Sequence, residues 1–135
     1  MLFRANSIKF NQGRVFYFDN LRNADISVDK IVSAGGIILS TNNAGLTDTA
    51  TVTFRCSELQ SGGNVWGAPL DSYIPFDIRN SAPMYVNLIF GTVQYVGTHS
   101  FVRTGRTMTN SSLTINIENA THALPVGGTY PASHY

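Results

Sequence analysis

Few residues in this 135-residue sequence have the type and spacing that catalysis requires. The three histidines are His99, His122 and His134, and the single cysteine is Cys56. A nucleophilic cysteine needs an exposed thiolate and a nearby histidine, whereas Cys56 falls on the apolar side of an alternating stretch. No H-E-x-x-H, P-loop, G-x-S-x-G or G-x-G-x-x-G pattern occurs. We therefore expect a protein that is not an enzyme and that needs no metal or cofactor.

A glycine-rich stretch around the only tryptophan is the first candidate for binding. Residues 58–71 carry three glycines and a proline without strand or helix periodicity, and long loops in compact domains are often functional. The ring of Trp66 can fill a pocket on a protein partner or stack on a sugar. It can equally fold back over an open end of the core. We predict Asn64 and Trp66 as partner-binding residues, with Asp71 beside them for a sugar.

Two arginines flank a candidate hairpin turn. Arg103 and Arg106 surround Thr104-Gly105, a dipeptide suited to a two-residue turn. Like charges at the mouth of a hairpin are mildly destabilising unless an anion or a carboxylate lies between them. We predict that both arginines bind an acidic patch of a partner. The alternative is a pair of solvated arginines without a role.

The C-terminal stretch, residues 119–135, differs from the rest of the chain. It has two prolines and two glycines and no strand or helix period, yet it includes Leu124, Val126 and two tyrosines. We predict a domain over residues 1–118 and an arm over residues 119–135 that docks on a neighbouring subunit through Tyr130 and Tyr135. A terminal segment without fixed structure is the alternative.

The stretch Thr49–Cys56 is the clearest element that could position these residues. Apolar and polar residues alternate there with the period of two that is typical of a half-buried strand. The alternation places four side chains inward: Ala50, Val52, Phe54 and Cys56. The stretch 25–32 alternates as well but slips phase, which predicts a bulge near Asp29-Lys30.

Similar short stretches recur along the chain, eight to ten in all, with turn signals between them. Residues 7–10 and 15–18 flank a Gly13-containing turn and predict a hairpin. We find no internal repeat. The pattern predicts an all-β domain, a two-sheet antiparallel β-sandwich of jelly-roll or immunoglobulin-like type, with a small β-barrel as the alternative.

Composition restricts the partners. Charged residues make up 13% of the chain and the formal net charge is +1, which argues against nucleic acid. No stretch approaches 18 apolar residues, so no membrane span is expected, and the first residues lack the apolar run of a signal peptide. A surface of amides and hydroxyls suits neutral partners, either proteins or glycans. For the location of the protein, we expect a virus particle, or the cytoplasm of the host cell before that particle assembles.

These features favour a structural function over catalysis. We expect a non-enzymatic assembly subunit that forms a homo-oligomer or docks on other proteins of a virion or bacteriophage particle, such as a decoration, tail, fibre or spike protein. This expectation rests on analogy at the level of composition and fold. The alternative is a carbohydrate-binding module or lectin that uses the Trp66 loop.

Overall fold

The computed structural model describes residues 1–10, 16–18, 22–33, 37–41, 49–62, 76–80, 83–104, 110–124 and 128–132. All regular elements in these ranges are strands. Alternating, β-branched and aromatic residues account for this preference, because they pack well on a pleated surface. The nine strands are β1 (Leu2–Phe10), β2 (Phe16–Phe18), β3 (Asn23–Ser33), β4 (Ile37–Thr41), β5 (Ala50–Gly62), β6 (Phe76–Asn80), β7 (Met84–Val96), β8 (Val102–Thr104) and β9 (Ser112–Ala123).

The strands form two sheets, and the chain passes from one sheet to the other at every strand. The long sheet has the order β1-β3-β5-β7-β9, and the short sheet has the order β2-β4-β6-β8. All the pairings between described strands are parallel. Each coil of the chain therefore adds one strand to each sheet, which is the architecture of a β-solenoid.

The predicted antiparallel β-sandwich, of jelly-roll or immunoglobulin-like type, is wrong. The described strands form two separate parallel sheets, so the small barrel named as the alternative is wrong as well. The predicted hairpin of residues 7–10 and 15–18 is also not formed, because β1 and β2 belong to different sheets. A period of two shows that a strand has one buried face, but it is the same for parallel and antiparallel neighbours.

The core lies between the two sheets and is centred on β5. The four side chains predicted to point inward from β5 are all buried, which confirms the alternation read from the sequence. The ring of Phe54 meets that of Phe76, on the short sheet, with centroids 5.3 Å apart and nearly perpendicular planes. Phe76 also contacts Phe90 of β7 at 5.4 Å. Edge-to-face contacts of this kind add to the stabilisation from buried area and hold the two sheets together.

Each strand of the long sheet changes phase at the same place. Pairing is interrupted at five aligned residues, and the inward side shifts there from one alternation to the next. The slip predicted at Asp29-Lys30 is confirmed, but it belongs to a corner shared by all five strands rather than to a local bulge. The aligned corner residues are Asn6, Asp29, Ser57, Gly91 and Glu118.

Gly91, the corner residue of β7, has no room for a side chain. A Cβ atom added there would lie 2.5 Å from the backbone carbonyl oxygen of Ser57. Backbone of the neighbouring strand occupies the volume that a side chain would need, so only glycine fits without a shift of the chain.

The coils make a structural repeat of uneven length, although the sequence shows no internal repeat. Leu2 pairs with Asp25, Asn23 with Thr51, Ala50 with Met84 and Tyr85 with Ser112. The offsets are 23, 28, 34 and 27 residues. Repeats with a fixed period are detectable in a sequence, and these offsets vary too much to produce one.

Candidate functional site

The two outer strands of the long sheet are the most distinctive surface of the molecule. Among the described residues, no strand lies beyond β1 on one side or beyond β9 on the other. One inward column runs through all five strands, and its three middle members are 0% exposed, whereas its two end members are only partly buried. The column consists of Phe3, Ile26, Phe54, Leu88 and Ile115.

The open side of an outer strand is the side away from its paired neighbour. On β1, the amides and carbonyls of the outward-facing residues point to this side. The amide of Asp25 donates to the carbonyl of Met1 at 3.0 Å, and the amino group of Met1 donates to the carbonyl of Asn23. The backbone of Met1 is therefore directed at β3. Because successive residues of a strand alternate in direction, the amides and carbonyls of Leu2 and Arg4 point away from β3, toward the open side.

The open side of β9 carries the complementary set, the backbone groups of inward-facing residues. The amide of Gly97 donates to the carbonyl of Ala123 at 3.1 Å, so Ala123 is directed at β7. By the same alternation, the carbonyl of His122 faces the open side. The inner strand β5 follows the same rule. The amide of the inward residue Ala50 donates to the carbonyl of Pro83, on the β7 side, and the amide of the outward residue Thr51 donates to the carbonyl of Arg22, on the β3 side.

Tyr130 partly covers the open side of β9. Its hydroxyl donates to the carbonyl of His122 at 3.0 Å, and its ring contacts the His122 ring edge-on at 5.1 Å. The His122 ring also lies against that of Tyr95, with ring centroids 4.7 Å apart. The Nε2 of His122 lies 2.7 Å from the carbonyl oxygen of Gly97, to which it donates. Tyr130 is predicted from the sequence to dock on a neighbouring subunit. In the structure it contacts β9 of the same chain, and it is still 51% exposed.

A cavity opens beside this aromatic cluster, at the end of the core nearest β9. Its volume is about 250 Å³. Apolar side chains dominate its walls. The lining residues are Val93, Tyr95, Phe101, Ile117, Ala120, Thr121 and His122.

The two open strands differ in charge. β1 includes Arg4 and Lys9 and no acidic residue, whereas the only Asp, Glu, Lys or Arg of β9 is Glu118. On the outer face, Arg4 lies 3.4 Å from the carboxylate of Asp25, which also binds Arg55 at 2.7 Å. These pairs are about half exposed and stabilise the fold only modestly. They direct the Arg4 side chain toward β3.

The remaining predicted binding residues are only partly described. Arg103 is an exposed residue of β8, where it pairs in register with Asp77 of β6. Asn64, Trp66, Arg106 and Tyr135 lie outside the described residues, as does the second half of the predicted 103–106 hairpin. The last strand runs to Ala123, beyond the predicted domain boundary at residue 118. The partner-binding roles of all these residues stay predictions.

Sequence reasoning missed the two open strands as candidate surfaces. Their strand character is readable from alternation, but their position at the ends of a sheet depends on the pairing order. The one available signal was the separation of charge between Arg4 and Lys9 near the start and Glu118 near the end.

Cys56 is a buried residue of the core rather than an accessible thiol. It is 2% exposed, and its Sγ donates to the carbonyl of Glu58 at 3.1 Å. Burial away from water raises the pKa of the Cys56 thiol to about 11, because the charged thiolate is poorly solvated there. The thiol is therefore protonated at neutral pH, and its predicted inward position is confirmed.

A second concave surface follows the outer side of the corner. It is a groove of about 490 Å³, and its polar residues include Asp29, Arg55, Ser57, Thr92 and Glu118. Within the described ranges, no three His, Cys, Asp or Glu residues are grouped closely enough to hold a metal ion. Nor does the described part of the chain contain a helix of the length and hydropathy that a membrane crossing requires.

Comparison with known proteins identifies no relative. No protein-family model matches the chain, and neither curated proteins nor solved structures give a significant match. Functional inference therefore depends on the geometry of the two open strands and their surroundings.

Proposed function

We propose that this protein is a non-enzymatic structural subunit that self-associates through the open strands of its long sheet. The observation that carries the proposal is that, within the described ranges, β1 and β9 each have a neighbouring strand on one side only, at the two ends of a parallel sheet whose inner strands are paired on both sides. Exposed strand edges are templates for pairing with another chain, and natural proteins that remain monomeric usually shield them.

The apolar columns beneath these strands support the same proposal. Phe3, Ala5 and Ile8 of β1 and Leu113, Ile115 and Ile117 of β9 are only partly buried, although they continue columns that are fully buried in the middle of the sheet. Addition of another strand at either end would remove this apolar surface from water, at roughly 25 cal/mol per Å². Backbone pairing and apolar burial would therefore act together at each open strand.

The composition is compatible with a subunit of a larger particle. With 13% charged residues and a formal net charge of +1, little long-range repulsion opposes close packing of identical copies. The more specific expectation of a virion or bacteriophage particle rests on composition alone and stays a prediction.

Sedimentation velocity of the full chain over a concentration series tests the proposal. We expect a discrete oligomer or a growing series of species in the micromolar range. Arg4→Pro should weaken association, because it removes a backbone donor from the open side of β1 and leaves the donors directed at β3 in place. Arg4→Ala is the matched control, since it removes the same side chain and ion pair but keeps the backbone amide.

A strict monomer at all concentrations would contradict the proposal. Equal association of the Pro and Ala variants would show that the open side of β1 is not the contact. In the first case, the alternative of a glycan-binding module becomes the leading one, and quenching of Trp66 fluorescence by a glycan panel would test it.

A further inference from the structure

We infer that the partner of each open strand is a second copy of this chain, stacked head to tail, with β9 of one copy pairing in parallel with β1 of the next. This inference rests on the proposed function and specifies the contact that produces self-association. The inward column that ends on Ile115 would continue on Phe3 of the second copy. The resulting register pairs Asn116 with Arg4 and Ile117 with Ala5 of the second copy.

The backbone groups of the two open strands are complementary in this register. In a parallel pair, a residue whose amide and carbonyl point toward the neighbouring strand does not bond to the residue directly opposite. It bonds to the two residues that flank that opposite residue. On β1, these residues are Leu2 and Arg4, whose amides and carbonyls face the open side. On β9, inward residues such as Ile115 and Ile117 face the open side, following the rule seen for Ala50 and His122.

The position of the corner also matches between the two open strands. Both open strands change phase, β1 at Asn6 and β9 at Glu118, and these two residues already belong to one aligned column within the molecule. Stacking in the stated register places Glu118 opposite Asn6 of the second copy. The inward faces of both strands therefore stay in phase before and after the corner, so the apolar columns continue across the junction without a break.

Charge favours head-to-tail stacking over pairing of like strands. Pairing β1 with β1 would bring Arg4 and Lys9 of two copies together, and pairing β9 with β9 would bring two Glu118 residues together. Head-to-tail stacking instead places Glu118 within two residues of Arg4 of the second copy. Because such a contact joins unlike surfaces, it leaves a free strand at each end and produces an open linear stack rather than a closed dimer.

Tyr130 limits how far this contact extends. Among the described strands, none pairs with the open side of the first half of β9, whereas in the second half the carbonyl of His122 already accepts from the Tyr130 hydroxyl. Pairing along the whole strand requires release of that bond. Tyr130→Phe should therefore strengthen association about fivefold, the usual effect of one hydrogen bond, and Tyr85→Phe is a control on an interior strand.

Disulfide trapping between two single-cysteine chains tests the register. In a Cys56→Ala background, one chain carries Arg4→Cys and the other carries Asn116→Cys. Directly opposed residues of neighbouring parallel strands lie close to the separation that a disulfide requires. We expect a covalent dimer only when the two chains are mixed and oxidised. Thr114→Cys is the matched control in place of Asn116→Cys, because it lies on the same outer face but two residues out of register.

The outcomes separate this inference from the proposed function. A covalent dimer from either single-cysteine chain alone, at a yield matching the mixture, would overturn head-to-tail stacking while leaving self-association intact. Equal trapping through Thr114→Cys would overturn the register. A wild-type chain that sediments only as a monomer would overturn both proposals.

A charge exchange provides a second measurement that does not depend on cysteine chemistry. Arg4→Glu and Glu118→Arg should each weaken association, by about tenfold at low salt, since each places like charges at the junction. The double variant should recover most of this loss, because it restores opposite charges in exchanged positions. Additive weakening in the double variant would show that the two residues do not meet and would overturn the inference.

Discussion

The middle of the long sheet and its two ends use the same kinds of residues with different results. Ile26, Phe54 and Leu88 are 0% exposed in β3, β5 and β7. Phe3 and Ile115 occupy the same column in β1 and β9 and are only partly buried. The side chains do not differ in hydrophobicity; they differ in having a strand on two sides or on one.

Burial in a parallel solenoid therefore depends on neighbouring coils. Stability in such folds is close to a sum of terms within each coil and between adjacent coils. In the described part of the chain, an outer coil has a neighbour on one side only, so it should be the easiest to detach and should gain most from a second copy. Substitutions at four positions test this contrast between middle and ends.

Removal of the central aromatic ring should have the largest effect. Phe54→Ala deletes a fully buried side chain that contacts Phe76 and Phe90, so we expect a loss of about 3–5 kcal/mol in the free energy of unfolding. Phe3→Ala, in the same column of β1, should cost less than half as much. Urea unfolding at a concentration where the protein is monomeric measures both. Equal losses would show that ends and middle are packed alike.

The buried thiol of β5 should make stability depend on alkaline pH. The pKa of Cys56 is raised from 9.0 to about 11, so between these values the unfolded chain loses the proton that the native state retains. The stabilisation is complete below pH 9 and falls as the pH rises toward 11, by about 2–3 kcal/mol in total. The difference in unfolding free energy between wild type and Cys56→Ala isolates this contribution. A difference that is constant from pH 8 to 11 would contradict it.

The corner should tolerate substitution everywhere except in β7. Gly91→Ala places a Cβ atom against the backbone of Ser57, and the chain must shift to admit it, at a cost of about 1–3 kcal/mol. Ser57→Ala, the neighbouring corner residue, should change stability by less than about 0.5 kcal/mol. Thermal unfolding of the two variants gives the comparison. If both behave like wild type, the corner is more open than described.

The ion pairs that link β1 to the middle of the sheet should matter least. Asp25→Asn removes the carboxylate shared by Arg4 and Arg55, and we expect a loss below about 1 kcal/mol, because all three groups are about half exposed. The loss should shrink at about 1 M salt, where charges are screened within roughly 3 Å. Unfolding at low and high salt measures this, and a loss unaffected by salt would show that packing is responsible instead of charge.

The sequence was sufficient to predict features that depend on a single strand. Alternation identified the four inward residues of β5, all of which are buried. The phase slip near Asp29 was visible as well. These features depend only on which face of a strand meets the core, and that is a local property of the residues.

Pairing direction and sheet order could not be read in the same way. Parallel strands with one buried face alternate just as antiparallel strands do, so the distinction requires knowing where each connection leads. The sequence showed the corner in β3, as a phase slip, but it did not show that all five strands share it. The aligned corner residues, from Asn6 to Glu118, have neither charge nor size in common. The open strands followed from the sheet order and were therefore not predicted.

The uneven lengths of the coils have a consequence for how this chain can change. Successive coils take 23, 28, 34 and 27 residues to return to the long sheet, yet every return meets its neighbour with the corner aligned. Alignment is therefore set where strands meet and is independent of the number of residues between them. A gene encoding such a protein can gain or lose several codons between strands without disturbing the columns, so these connections are natural places for insertions, tags or new binding segments.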